Sequence, residues 1–157
     1  MSIRKLTLFL GGLVIGLAAA AAPPNFTGTW VLNHQKSKNL GMMSAMNDTV
    51  TVSQTAAELT VDDNAAFNGS AMHRVTRYNL AGDAVKNDSP TGDPAETTSH
   101  WQGQELVTVW VTQGSIAGST HRRIERRYLS PDGQTMFEVS GAAANDPKAL
   151  VLAFDRK

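Results

Sequence analysis

Side chains along a β-strand alternate between two faces, so residues two apart share one environment. The segment Ile116 to Ser130 then carries Ile116, Thr120, Arg122, Ile124, Arg126 and Tyr128 on its more apolar face. His121, Arg123, Glu125, Arg127 and Leu129 fall on the other. In Ala71 to Leu80 the apolar face holds Met72, Arg74, Thr76, Tyr78 and Leu80. Apolar faces turn inward, which is expected to enclose Arg74, Tyr78, Arg122, Arg126 and Tyr128. Buried arginine is rare unless paired. A guanidinium fork beside a tyrosine hydroxyl suits a carboxylate, so these five are the candidate ligand-binding residues. The alternative is a long strand that projects beyond the sheet, its arginines solvated or paired with Glu125, Glu138 or Asp155.

Other chemistries find little support. His34, His73, His100 and His121 lie on separate elements without ligand spacing, and parity puts His73 and His121 on polar faces. A site built from His73, His100 and His121 is possible in a barrel, but surface imidazoles are the expectation. No nucleophile elbow, phosphate loop or dinucleotide fingerprint occurs, and the chain has no cysteine. Asp62, Asp63 and Asp132 sit where turns favour aspartate. No catalytic residue, metal ligand or cofactor is therefore assigned, and an enzyme is the least supported class.

The elements that must position these residues are short β-branched runs separated by turn residues, with no sustained helical stripe. Strands are expected at Phe26–Asn33, Asp48–Gln54, Glu58–Asp62, Ala71–Leu80, Ala84–Lys86, Ala95–Trp101, Glu105–Thr112, Ile116–Ser130, Gln134–Ala142 and Ala149–Asp155. Lys36 to Asn47 is the one candidate short helix, weakened by Gly41. Its Met42, Met43 and Met46 suit either a soft lid or an ordinary plug of a barrel end, the plug being favoured. Asn87 to Pro94 reads as a surface loop. Short links imply neighbouring strands in an antiparallel meander, and such a twisted meander tends to close. The fold class is thus all-β, an up-and-down barrel of about 8–10 strands with one short helix; a two-sheet sandwich is the competitor.

Arg4 and Lys5, the apolar run Leu6 to Leu17 and the alanines Ala18 to Ala22 have the three parts of a signal peptide, with cleavage expected near Ala20 to Ala22. The apolar run is shorter than the roughly 20 residues that span a bilayer. Residues 1–22 are accordingly read as a signal peptide and 23–157 as one domain, periplasmic or secreted, without stable membrane insertion after cleavage. That domain carries 12 basic and 14 acidic residues, near neutrality, which offers no general field for nucleic acid.

Phe26-Thr27-Gly28-Thr29-Trp30-Val31-Leu32-Asn33, just past that segment, resembles the entry motif of the lipocalins and other calycins as found in exported bacterial lipocalin-like proteins. The resemblance implies that Gly28 and Trp30 close one barrel end and that a basic residue late in the last strand, here Arg156, lies over the tryptophan ring. Arg126-Arg127-Tyr128 is similar to the Arg-x-Tyr that grips the carboxylate in intracellular fatty-acid-binding proteins, although there it lies on the final strand. The expected function is a monomeric exported binding protein for a small hydrophobic or amphipathic, carboxylate-bearing ligand. The alternative is a structural or interaction domain of the cell envelope without a ligand cavity.

Overall fold

The structure, a computed structural model, describes residues 22–141 and 146–157. The signal-peptide reading of residues 1–22 falls, but for Ala22, outside them. Ten strands form one antiparallel sheet: β1 Gly28–Leu32, β2 Met46–Gln54, β3 Glu58–Phe67, β4 Ser70–Asn79, β5 Val85–Asp88, β6 Pro94–Gln102, β7 Glu105–Gln113, β8 Thr120–Leu129, β9 Thr135–Gly141 and β10 Leu150–Arg156. Their order is β4-β3-β2-β1-β10-β9-β8-β7-β6-β5, a meander that curls until its ends meet. The expected barrel is therefore present, closed at every neighbour but one.

The expected helix is a single 3₁₀ turn, Gly41–Ala45. Met43 and Leu40 beside it pack on the core and Met46 is buried, whereas Met42 is 84% exposed. β3 and β4 run further than the sequence suggests because Asn68 and Gly69 both take positive φ. That is the two-residue turn whose twist matches a hairpin. The alanines and asparagine preceding it are weak strand formers, which hid the extension.

The seam between β4 and β5 lacks a ladder. Its polar groups meet through one side chain, since Asn87 Oδ1 accepts from Arg77 N–H at 3.0 Å and Asn87 Nδ2 donates to Arg77 O at 2.8 Å. Nδ2 also donates to Thr97 Oγ1 at 2.8 Å. Exchanging Asn87 for alanine is expected to speed amide hydrogen exchange at Arg77 by tenfold or more while the β2–β3 amides stay protected. Unchanged exchange at Arg77 would mean that the seam is held otherwise.

One barrel end is dry. Phe26, Trp30, Leu59, Leu106 and Met136 are fully buried there, with Val52 and Phe154 packed among them. Phe26 stacks on Trp101 at 6.0 Å between centroids, and Trp30 Nε1 donates to Phe26 O at 2.9 Å. Arg156 Cζ lies 4.1 Å from the Trp30 ring centroid, and its Nη1 donates to Thr27 O at 3.0 Å. Gly28 has φ +147°, and a Cβ there would stand 2.6 Å from Arg156 Nη1. Gly28→Ala is thus expected to displace Arg156 and lower stability by about 1–3 kcal/mol in urea titrations. A loss below about 0.5 kcal/mol would show that the arginine moves freely.

Candidate functional site

Above the dry end the barrel interior turns polar, because successive strands bring inward-facing charges to one level. β8 contributes Arg123, Glu125 and Arg127, facing Trp110, Thr108 and Leu106 of β7 in register. β9 places Glu138 opposite Arg127, while β3 and β4 place Asp63 opposite Arg74, with Tyr78 four residues along β4. Asp48 of β2 lies opposite Ala65, diagonal to Asp63 on the same face.

Glu125 is the hub. It accepts from Trp110 Nε1 at 3.0 Å, from Arg127 Nη2 at 3.2 Å and from Tyr78 OH at 3.3 Å, and lies 3.8 Å from Arg123 Nη2. Arg127, only 2% exposed, also donates from Nη2 to Glu138 Oε2 at 2.7 Å. Its guanidinium sits 5.1 Å from the Tyr78 ring centroid. Its Nε and Nη1 are buried with no hydrogen-bond partner among the described residues. At the next level Arg74 Nη2 donates to Asp63 Oδ2 at 2.9 Å, and Asp48 is 6% exposed.

This enclosure shifts the titrations. Burial pushes the Tyr78 phenol well above its usual range, with Glu125 adding to it, so that hydroxyl stays protonated. Burial and then Glu138 raise Glu125, against the pull of Arg127 and Arg123. For Arg127 burial opposes the charge, but Tyr78, Glu138 and Glu125 outweigh it and hold the guanidinium charged. Burial, with Asp63 next, pushes Asp48 up to about 8.

Of the five candidate ligand-binding residues, Arg74 and Tyr78 face inward. Arg122, Arg126 and Tyr128 do not, which corrects the parity expected for this strand. Arg122 is exposed opposite Val111, and Arg126 lies 3.9 Å from Glu105 on the outer side. Tyr128 stacks on Phe137 at 5.2 Å. The reversal has two causes. The inward arginines and glutamates two residues apart neutralise one another, so charge does not bar that face from burial. Ile124 and Tyr128 are instead half-covered from outside by Val109 and Phe137 across the ladder. β8 also begins at Thr120, leaving Ile116 exposed in a turn.

Two concavities are formed among the described residues, and the smaller is lined by the inward-facing Asp48, Ala65 and Met72 as well as by outward-facing residues. One, of about 310 Å³, lies over β2–β4 around Asn47, Thr49, Asn64 and His73; the other, of about 670 Å³, spans the seam around Val75, Arg77, Lys86 and Val111. Among the described residues no cluster of three or more metal-ligating side chains is arranged for a metal, and no helix is long and apolar enough to cross a membrane.

No protein-family model and no curated protein sequence matches the chain. Solved structures do. The REP1-NXSQ fatty acid transporter is 14% identical with a TM-score of 0.62, covering 83% of this chain and 95% of its own. Human cRBP IV is 14% identical with a TM-score of 0.61, covering 86% and 100%. Apo Caenorhabditis elegans lipid binding protein 8 is 12% identical with a TM-score of 0.59, covering 84% and 95%. At these identities the likeness shows the fold, a calycin-type barrel.

Proposed function

We propose that this protein is an exported carrier that holds one small amphipathic molecule inside the barrel, in the periplasm or outside the cell. The polar head meets Arg127 and Tyr78 while the apolar part lies against the apolar core. The observation that carries the reading is the buried Arg127 guanidinium, whose Nε and Nη1 lack an acceptor among the described residues. A buried donor left unmatched costs about 1–3 kcal/mol, so an oxygen supplied by a ligand, whether carbonyl, hydroxyl or carboxylate, is strongly favoured there. Two structures of like fold are named for fatty-acid transport and lipid binding, which agrees with this use of the barrel. The signal-like segment Arg4 to Ala22 supports export.

The test uses decan-1-ol, a neutral chain with an oxygen head, and follows the fluorescence of Trp110 beside Glu125. One saturable site per chain is expected. Arg127→Met should weaken it about tenfold or more, Tyr78→Phe less, and Arg126→Met hardly at all. No saturable binding, or equal losses for Arg126→Met and Arg127→Met, would overturn the reading. A second reading, an interaction domain of the cell envelope, is favoured by the concavity at the seam, which is lined by the exposed Arg77 and Lys86. It predicts that the alcohol does not bind.

A further inference from the structure

The inward-facing charges do not balance. Among the described residues the belt contains three guanidinium groups, Arg74, Arg123 and Arg127, against four carboxyl groups, Asp48, Asp63, Glu125 and Glu138. The arginines stay charged at any ordinary pH. With every carboxyl ionised, the interior is left with one surplus negative charge. Such a charge is costly in a low-dielectric enclosure unless a cation or a proton meets it.

The surplus localises at Asp48. Glu125 and Glu138 both accept from Arg127, and Asp63 accepts from Arg74. Asp48 alone of the four has no basic partner at contact distance, and its buried Oδ1 has no hydrogen-bond donor among the described residues. Its immediate inward-facing neighbours are the apolar Met46 and Val50 on its own strand, Ala65 opposite and Met72 on β4, together with the Asp63 carboxyl, which shares a hydrogen bond with it. Asp48 also lies two residues beyond Val50, the partner of Trp30, and so away from the dry end. Met72 and Arg74 at this level are half and one-third exposed, which leaves the carboxyl within reach of solvent.

We propose that Asp48, backed by Asp63, is a second polar subsite that takes the protonated primary amine of an amphipathic ligand. This rests on the carrier reading and specifies the ligand class, an amphiphile whose ammonium balances the belt. In its absence a proton does the same work, which agrees with the upward shift of Asp48 produced by its burial and by Asp63. The other charges that face it are Glu138 from β9 and Arg74 from β4, the first opposing and the second favouring ionisation. Amine binding therefore displaces a proton. A decylammonium ion keeps its charge to about pH 10, so its affinity should rise with pH until Asp48 is ionised.

The experiment compares decylamine with decan-1-ol on the protein by calorimetry between pH 6 and pH 9, in buffers of differing ionisation enthalpy. The amine is expected to bind at least tenfold more tightly than the alcohol at pH 9. It should release close to one proton per site at pH 6 and almost none at pH 9, while alcohol binding stays flat with pH. Asp48→Asn should abolish both the preference for the amine and the proton release; Asp63→Asn should reduce them. Alcohol binding with no amine preference, or a preference that survives in Asp48→Asn, would overturn the subsite and leave the carrier intact. Binding of neither compound would overturn the carrier and the subsite with it.

Discussion

Replacing Glu125 with alanine is expected to cost the fold about 3–5 kcal/mol, read as a lowered urea midpoint at unchanged slope. The carboxylate is buried among three donors, the Arg127 guanidinium, the Trp110 indole and the Tyr78 hydroxyl, with the Arg123 guanidinium 3.8 Å away. Its removal strands Arg127 with Glu138 as its remaining carboxylate partner. An arginine cannot escape that by losing its proton. The reciprocal change behaves differently, because Glu125, already raised by its burial, can protonate once Arg127 is gone. Arg127→Met should therefore be the milder lesion in acidic solution and approach the severity of Glu125→Ala only as pH rises. The pair Glu125→Leu with Arg127→Met should cost less than the sum of the single changes, since neighbours in one network are not additive. A loss under about 1 kcal/mol for Glu125→Ala would show that water reaches the belt and screens it.

The second large effect is a fall in stability as pH rises through neutrality. Asp48 titrates near 8 in the folded chain, against an ordinary value of 3.8, so the native state binds the extra proton across that interval. Stability from this group is complete below about pH 4, declines as pH climbs and levels off above about 8. Asp155 acts in the opposite sense. Hydrogen bonds from Lys36 and Asn33 hold it at about 2, so its contribution is present above about pH 4 and is lost as pH falls toward 2. The two together place maximal stability in mildly acidic solution. Asp48→Asn mimics the protonated carboxyl, so it should flatten the decline and raise stability at pH 9 by about 2–4 kcal/mol. Thermal melts at pH 5 and pH 9 decide the matter: parallel behaviour of wild type and Asp48→Asn would remove Asp48 as the cause.

The barrel was legible because its information is local. Period-two runs between Gly, Asn, Asp and Pro turns imply a meander, and ten strands joined in sequence order are what the described residues build. The seam was not legible, since nothing in Asn87 announces that its amide will mimic a strand across a gap. Strand β8 was misread for a physical reason: apolar content is a poor guide to the inward face when charges on the other face neutralise one another. The usable signal was Glu125-x-Arg127, opposite charges two residues apart and hence on one face, with Glu138 available on the next strand. A strand that can discharge itself in this way can be buried. Asp48 gave no such sign, because Asp63, and the Arg74 that pairs with Asp63, arrive from other strands by register alone.

The central claim is that Arg127, enclosed with two donor nitrogens unmatched among the described residues, receives the oxygen of a bound small molecule. Native mass spectrometry of the protein purified from its own host tests it most directly, with Arg127→Met prepared alongside. The claim predicts one non-covalent small-molecule adduct per wild-type chain and its disappearance from Arg127→Met while that variant remains folded. A bare mass for the wild type, or an adduct that persists undiminished in Arg127→Met, would contradict it.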